Sequence, residues 1–143
     1  SLFGEAFVCA GIPHLPVDIV AAEDCTIMFL KGKKLLNTCD NGCKFHHTLI
    51  RNLLGIVAQN NMYLNQKIKY TSRKTTREKL MAYLTDQAKM KDSNDFTIPF
   101  NRQELADYLG VERSAMSAEL GKLTKLGILQ TQRSHFTLLK PLD

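Results

Sequence analysis

Between Asn101 and Leu129 the chain reads NRQELADYLGVERSAMSAELGKLTKLGIL, and the spacing of its apolar residues leaves few folds open. Leu105 and Leu109 lie on one face of a first helix of roughly two turns, with small Ala106 where a second helix must pass closely. Gly110 sits where the chain needs a left-handed or tight backbone, and Val111 follows to plug the turn. The second helix starts near Arg113 and steps through Met116, Leu120 and Leu123 on its inner side. Two short helices packed across such a turn form a helix-turn-helix. The following ILQTQRSHFTLL reads as two short strands joined by a polar turn, QRSH, a wing beside the helix pair.

The outer face of the second helix begins with Arg113, Ser114, Ser117 and Ala118. These residue types suit the edges of base pairs. Arginine can bond guanine O6 and N7 through both arms of its fork, serine can bond a base edge or a phosphate, and alanine can meet a thymine methyl. The helix N-terminus also turns the positive end of its dipole toward phosphate. Arg102 and Gln103, at the start of the first helix, are expected beside the sugar-phosphate backbone. The competing reading is a winged-helix protein-interaction adaptor, with Arg113 and its neighbours merely solvated.

Upstream, from about Phe45 to Lys74, apolar residues recur at helical spacing. Ile50, Leu54, Val57, Asn61, Leu64 and Ile68 alternate steps of four and three, a heptad seam with Asn61 at a core position. The seam predicts a dimer, because a lone asparagine there fixes register. Leu49, Leu53 and Ile56 form an adjacent stripe that can pack on the chain's own N-terminal part. Thr75 and Glu78, in TTRE, form a capping box for a further helix through KLMAYLTDQAKM. The strand FTIPF follows, and Asn101 with Glu104 caps the first helix of the motif.

From Phe3 to about Leu36, AFVCAG, VDIVAA and CTIMFLK read as short strands broken by turns. The chain starts inside such a segment. The expectation is therefore the later part of a β domain, whose first part is missing and whose edge is exposed.

Charge excludes a reading from bulk electrostatics. The chain of 143 residues carries a net charge of +5, but the bases concentrate at Arg51, Lys67, Lys69, Arg73 and Lys74, with no acid between 46 and 75. The motif itself mixes both signs, so any nucleic-acid contact must rest on individual side chains. No segment is apolar enough to span a membrane and no signal peptide is visible, which places the protein in the cytoplasm. There the four cysteines are expected as thiols. Cys39, Cys43, His46 and His47 are weak candidates for a metal: they can share a helical face, but Asn41-Gly42 argues for a turn, and structural zinc favours closer pairs. No metal or other cofactor is expected. No triad or phosphate-binding glycine loop is visible, so turnover is not expected either.

In this order of elements the chain resembles the Crp/Fnr family of bacterial transcription regulators. Gly4-Glu5 after Phe3 resembles the family's phosphate-binding cassette, VAAEDCTIMFL its closing strands, and RQELADYLGVERSAMSAELGKL its DNA-reading element. The resemblance implies an α+β chain in three parts: the C-terminal part of a β-roll effector domain over 1–45, a dimerisation helix and hinge over 46–74, and a winged helix-turn-helix over 75–143. It implies a homodimer on a pseudo-palindromic operator in double-stranded DNA, RNA polymerase as a partner, and a small-molecule effector near Gly4 and Glu5. That effector is not expected to be cyclic AMP. Leu15 and Pro16 stand where cyclic-AMP-binding members have an Arg-Ser pair, and without the guanidinium there is no two-armed phosphate clamp. Leu64 and Asn65 stand where such members have Thr-Ser, and Ala118 replaces a second recognition-helix arginine, which implies a different half-site.

Overall fold

Local capping signals set the start of two of the helices. The computed structural model describes residues 2–32, 34 and 43–139, in two compact units, Ser1–Met62 and Tyr63–Asp143. In the first unit, α1 (Glu5–Cys9) starts after Gly4, whose φ of 82° is left-handed. The long helix α2 (Lys44–Thr71) begins in the first unit and ends in the second. The second unit continues with α3 (Thr76–Lys91), β1 (Asp95–Thr97), α4 (Arg102–Leu109), α5 (Arg113–Lys125), β2 (Leu129–Gln132) and β3 (His135–Leu138).

The start of α3 follows directly from its sequence. The Thr75 hydroxyl accepts the Glu78 amide at 3.1 Å while the Glu78 carboxylate accepts the Thr75 amide at 3.3 Å, closing the capping box. Thr75→Ala should lower stability by about 0.5 to 2 kcal/mol, read as a lower denaturation midpoint with an unchanged denaturant slope. At α4 the Asn101 side chain accepts the amides of Gln103 and Glu104 at 2.9 and 3.0 Å, and Glu104 returns the bond to Asn101 at 2.7 Å.

The sheet is antiparallel with strand order β1-β3-β2, Phe96 opposite Phe136 and Gln132 opposite His135. The expected strand FTIPF is shorter than its pattern: β1 stops at Thr97, ahead of Pro99, which has no amide to give to a ladder. Helices and sheet share one core. Leu80 and Leu84 of α3, Leu105 and Leu109 of α4, Met116 and Leu123 of α5, and Phe136 of β3 are all buried in it. The chain is thus α+β, with a small sheet against a helical bundle.

An aromatic cluster fixes the last turns of α2 to this core. Tyr70 is buried and meets Tyr83 edge-on at 5.5 Å, Tyr83 meets Tyr108 at 5.7 Å, and Tyr108 meets Phe100 at 5.0 Å. Tyr63 adds a fourth phenol, 5.8 Å from Tyr108. The Tyr70 hydroxyl donates to the Asp86 carboxylate at 3.0 Å, and burial together with that carboxylate holds the phenol well above its ordinary range.

The N-terminal strands expected from AFVCAG, VDIVAA and CTIMFLK are not formed. Glu5–Cys9 is helical, and among the described residues between Gly11 and Lys31 none is paired in a sheet. Val20, Met28 and Phe29 are exposed. The physical reason is that an apolar run becomes a strand only where a neighbouring strand takes its hydrogen bonds, and an isolated segment has none.

Candidate DNA interface

The turn between α4 and α5 decides where the outer face points. Gly110 has a φ of 60°, and its amide bonds back to the Asp107 carbonyl at 3.3 Å, so α4 ends abruptly. A side chain at Gly110 would be strained in that conformation. Val111, half-buried, packs against the core, and α5 starts at Arg113. The burial of Met116, Leu120 and Leu123 fixes the rotation of α5, and Arg113, Ser114, Ser117 and Ala118 are all exposed. All of the residues expected to read bases are therefore on open surface, within the first two turns of one helix.

Their present partners differ. Ser114 donates to the Glu112 carboxylate at 3.4 Å, a long bond that a base edge can replace. Gln103 is exposed on α4 and donates to Asp107 at 2.9 Å. Further along α5, Glu119 pairs with Arg77 at 3.2 Å and with Lys122 at 3.3 Å. These residues, with Thr75, Lys125 and Leu126, line an open cleft of about 600 Å³ at the foot of the helix. Exposed pairs of this kind contribute little to stability and leave the cations accessible.

Arg102 stands apart from the other expected contacts. Its guanidinium is half-buried, donates to the Thr131 hydroxyl at 2.6 Å, and lies 4.9 Å from the centre of the Phe136 ring. Burial lowers its pKa. The residue expected on the sugar-phosphate backbone is thus engaged, within the chain, with both strands of the wing.

The sequence did not single out Arg133. It occupies the two-residue turn between β2 and β3 with a φ of 52°, a region that disfavours side chains, and it is exposed. QRSH signalled the turn, but arginine carries no turn preference that would have placed it in the left-handed position.

On α2, the seam residues Leu54, Asn61, Leu64 and Ile68 are exposed while Ile50 and Val57 are half-buried. Leu49, Leu53 and Ile56 on the neighbouring stripe are half-buried as well. Glu5 accepts a hydrogen bond from the Asn60 amide at 2.7 Å, so the expected effector residue has a partner on α2. Of the candidate metal ligands, Cys39 lies outside the described residues. The Cys43 sulfur is 3.8 Å from His46 Nδ1, and no group of three or more metal-ligating side chains occurs among the described residues. Among those residues no helix is long and apolar enough to cross a membrane.

Residues 78–142 match the Crp-like helix-turn-helix domain. Among solved structures the chain is similar to FixK2 from Bradyrhizobium japonicum, with 19% identity and a TM-score of 0.55. The similarity covers 80% of this chain and 61% of that one, and at this identity it speaks for a shared fold. No curated protein matches the sequence.

Proposed function

We propose that the chain is a DNA-binding transcription regulator of the Crp/Fnr type, a reading supported by its Crp-like helix-turn-helix, and that it binds a pseudo-palindromic operator as a homodimer, with α5 in the major groove of each half-site. The observation that carries this is the face of α5. Arg113, Ser114, Ser117 and Ala118 are exposed over its first turns, while Met116, Leu120 and Leu123 anchor the opposite side. A helix held rigidly by its inner face presents its outer side chains in one geometry, as base reading requires. Gln103, at the start of α4, serves the backbone beside it.

The N-terminal residues 1–45 act as part of the effector domain in this reading, residues 46–74 as dimerisation helix and hinge, and residues 75–143 as the DNA-binding domain. The effector, not cyclic AMP, binds near Gly4 and Glu5, and RNA polymerase is the partner once DNA is bound. The similarity of the fold to FixK2 over most of this chain supports the order of these parts along the chain.

Selection from a pool of random duplexes, followed by anisotropy across a salt series, tests the proposal. Enrichment of a two-fold symmetric sequence is expected, with log affinity falling linearly as log salt rises, because phosphate contacts release condensed counterions. Recovery of no sequence above bulk DNA, with no salt slope, would favour the protein-interaction adaptor.

A further inference from the structure

Arg102 is a costly way to build a wing. Its side chain gives up hydration for a single described hydrogen bond, to the Thr131 hydroxyl, and its Nη1 is buried with no hydrogen-bond partner among the described residues. What compensates is the face of the fully buried Phe136 ring beneath it. Thr131 and Phe136 lie on opposite strands of the hairpin and face each other in its register, and Thr131 also donates to the His135 carbonyl at 3.1 Å. A single guanidinium therefore grips both strands one step from the turn. On the other side Ser134 donates to the Phe100 carbonyl at 2.9 Å, and its own carbonyl accepts the Ile98 amide at 2.9 Å. The turn held in this way is the one that displays Arg133, in a backbone region where glycine is favoured and a charged side chain gives no folding advantage.

We propose that Arg102 is a positioning residue that clamps the wing, and that the wing-tip Arg133 delivers the phosphate contact to the duplex read by α5. The proposal rests on the DNA-binding reading above. A guanidinium packed on a ring face and bonded through one arm to a hydroxyl cannot be replaced by an ammonium of equal charge, whereas a simple phosphate contact tolerates the exchange.

The test uses the full chain, its selected duplex and a random duplex, with affinity measured across a salt series. Arg133→Ala should weaken both duplexes alike and lower the salt slope by about one unit. Arg133→Gly should do the same while raising the melting temperature, since the strain is relieved as the charge is lost. Arg102→Lys should behave like Arg102→Ala, and the double variant Arg102→Ala with Arg133→Ala should bind no worse than Arg133→Ala alone. If Arg102→Ala fails to fold, Thr131→Val, which keeps both arginines, should lower the slope in the same direction. Full binding by Arg102→Lys would make Arg102 a direct phosphate contact and overturn the clamp. So would additive losses in the double variant, an unchanged slope in Arg133→Ala, or an unchanged slope in Thr131→Val. If the unaltered chain binds no duplex at all, the DNA-binding reading fails before the clamp is reached.

Discussion

Replacing Leu54 and Leu64 together with glutamate should turn the protein into monomers and weaken binding to a two-half-site operator by about 10²- to 10⁴-fold, the gain that linking two binding modules supplies. Both leucines are more than half exposed, at 62% and 54%, on a helix of 28 residues, so the single chain leaves their side chains without cover. With Ile68 they lie on the heptad seam, and their burial against a second copy is the term that glutamate removes, with four like charges introduced at the interface. Ile50 and Val57 are already half-buried within the chain, which makes them poorer probes of the interface. Sedimentation reads the outcome directly. Asn61→Leu is the informative contrast: it should leave dimers or raise the oligomer order, because the asparagine specifies register at a cost in stability. Persistence of dimers after both charge substitutions would put the interface on another surface.

Arg113→Ala should cost about 1 to 3 kcal/mol on the cognate operator, roughly five- to 150-fold in affinity, and relax preference at one position per half-site. Arg113 is the first residue of α5 and is exposed, so its side chain can extend past the helix end toward a base edge. Lys122 and Lys125 lie two to three turns further along, and Lys122 is engaged by Glu119. Neither cation offers a planar fork that matches guanine. Comparison of cognate and random duplexes separates reading from attraction. Equal losses on both would reduce Arg113 to a phosphate contact and move the reading face elsewhere on α5. Ser114→Ala should have the smaller effect, since Ser114 must first leave Glu112.

Short stretches of sequence spelled out the local structure. Thr75 with Glu78 and Asn101 with Glu104 are capping boxes whose donors and acceptors lie within three residues of each other, and both form as read. Gly110 is equally local, because its left-handed backbone is a property of the residue itself. The burial of Met116, Leu120 and Leu123 follows from helical period alone. Failure began where the answer depended on distant partners. AFVCAG has strand composition, yet a strand is defined by the neighbour that pairs with it, and Glu5–Cys9 instead satisfies its own backbone as a helix. Arg102 opens a helix and so reads as a cation beside the sugar-phosphate backbone, while the partners it has within the chain, Thr131 and Phe136, lie some thirty residues along the sequence. The left-handed Arg133 was invisible for a different reason: the hairpin register imposes that backbone on whichever residue falls at the turn.

The chain contains four tyrosines and no tryptophan, and Tyr63, Tyr70, Tyr83 and Tyr108 all stand in the one cluster where the end of α2 meets α3 and α4. Its phenol optical signals, in near-ultraviolet dichroism and in intrinsic fluorescence, therefore arise from a single place. Edge-to-face rings in a fixed asymmetric arrangement give a strong dichroic band, which fades when the rings turn freely. Unmodified protein thus carries its own label at the junction between the long helix and the helix-turn-helix domain. A ligand or duplex that loosens or tightens that junction can be followed without dyes, and substitutions at Leu54 or Arg113, which lie outside the cluster, leave the chromophore intact.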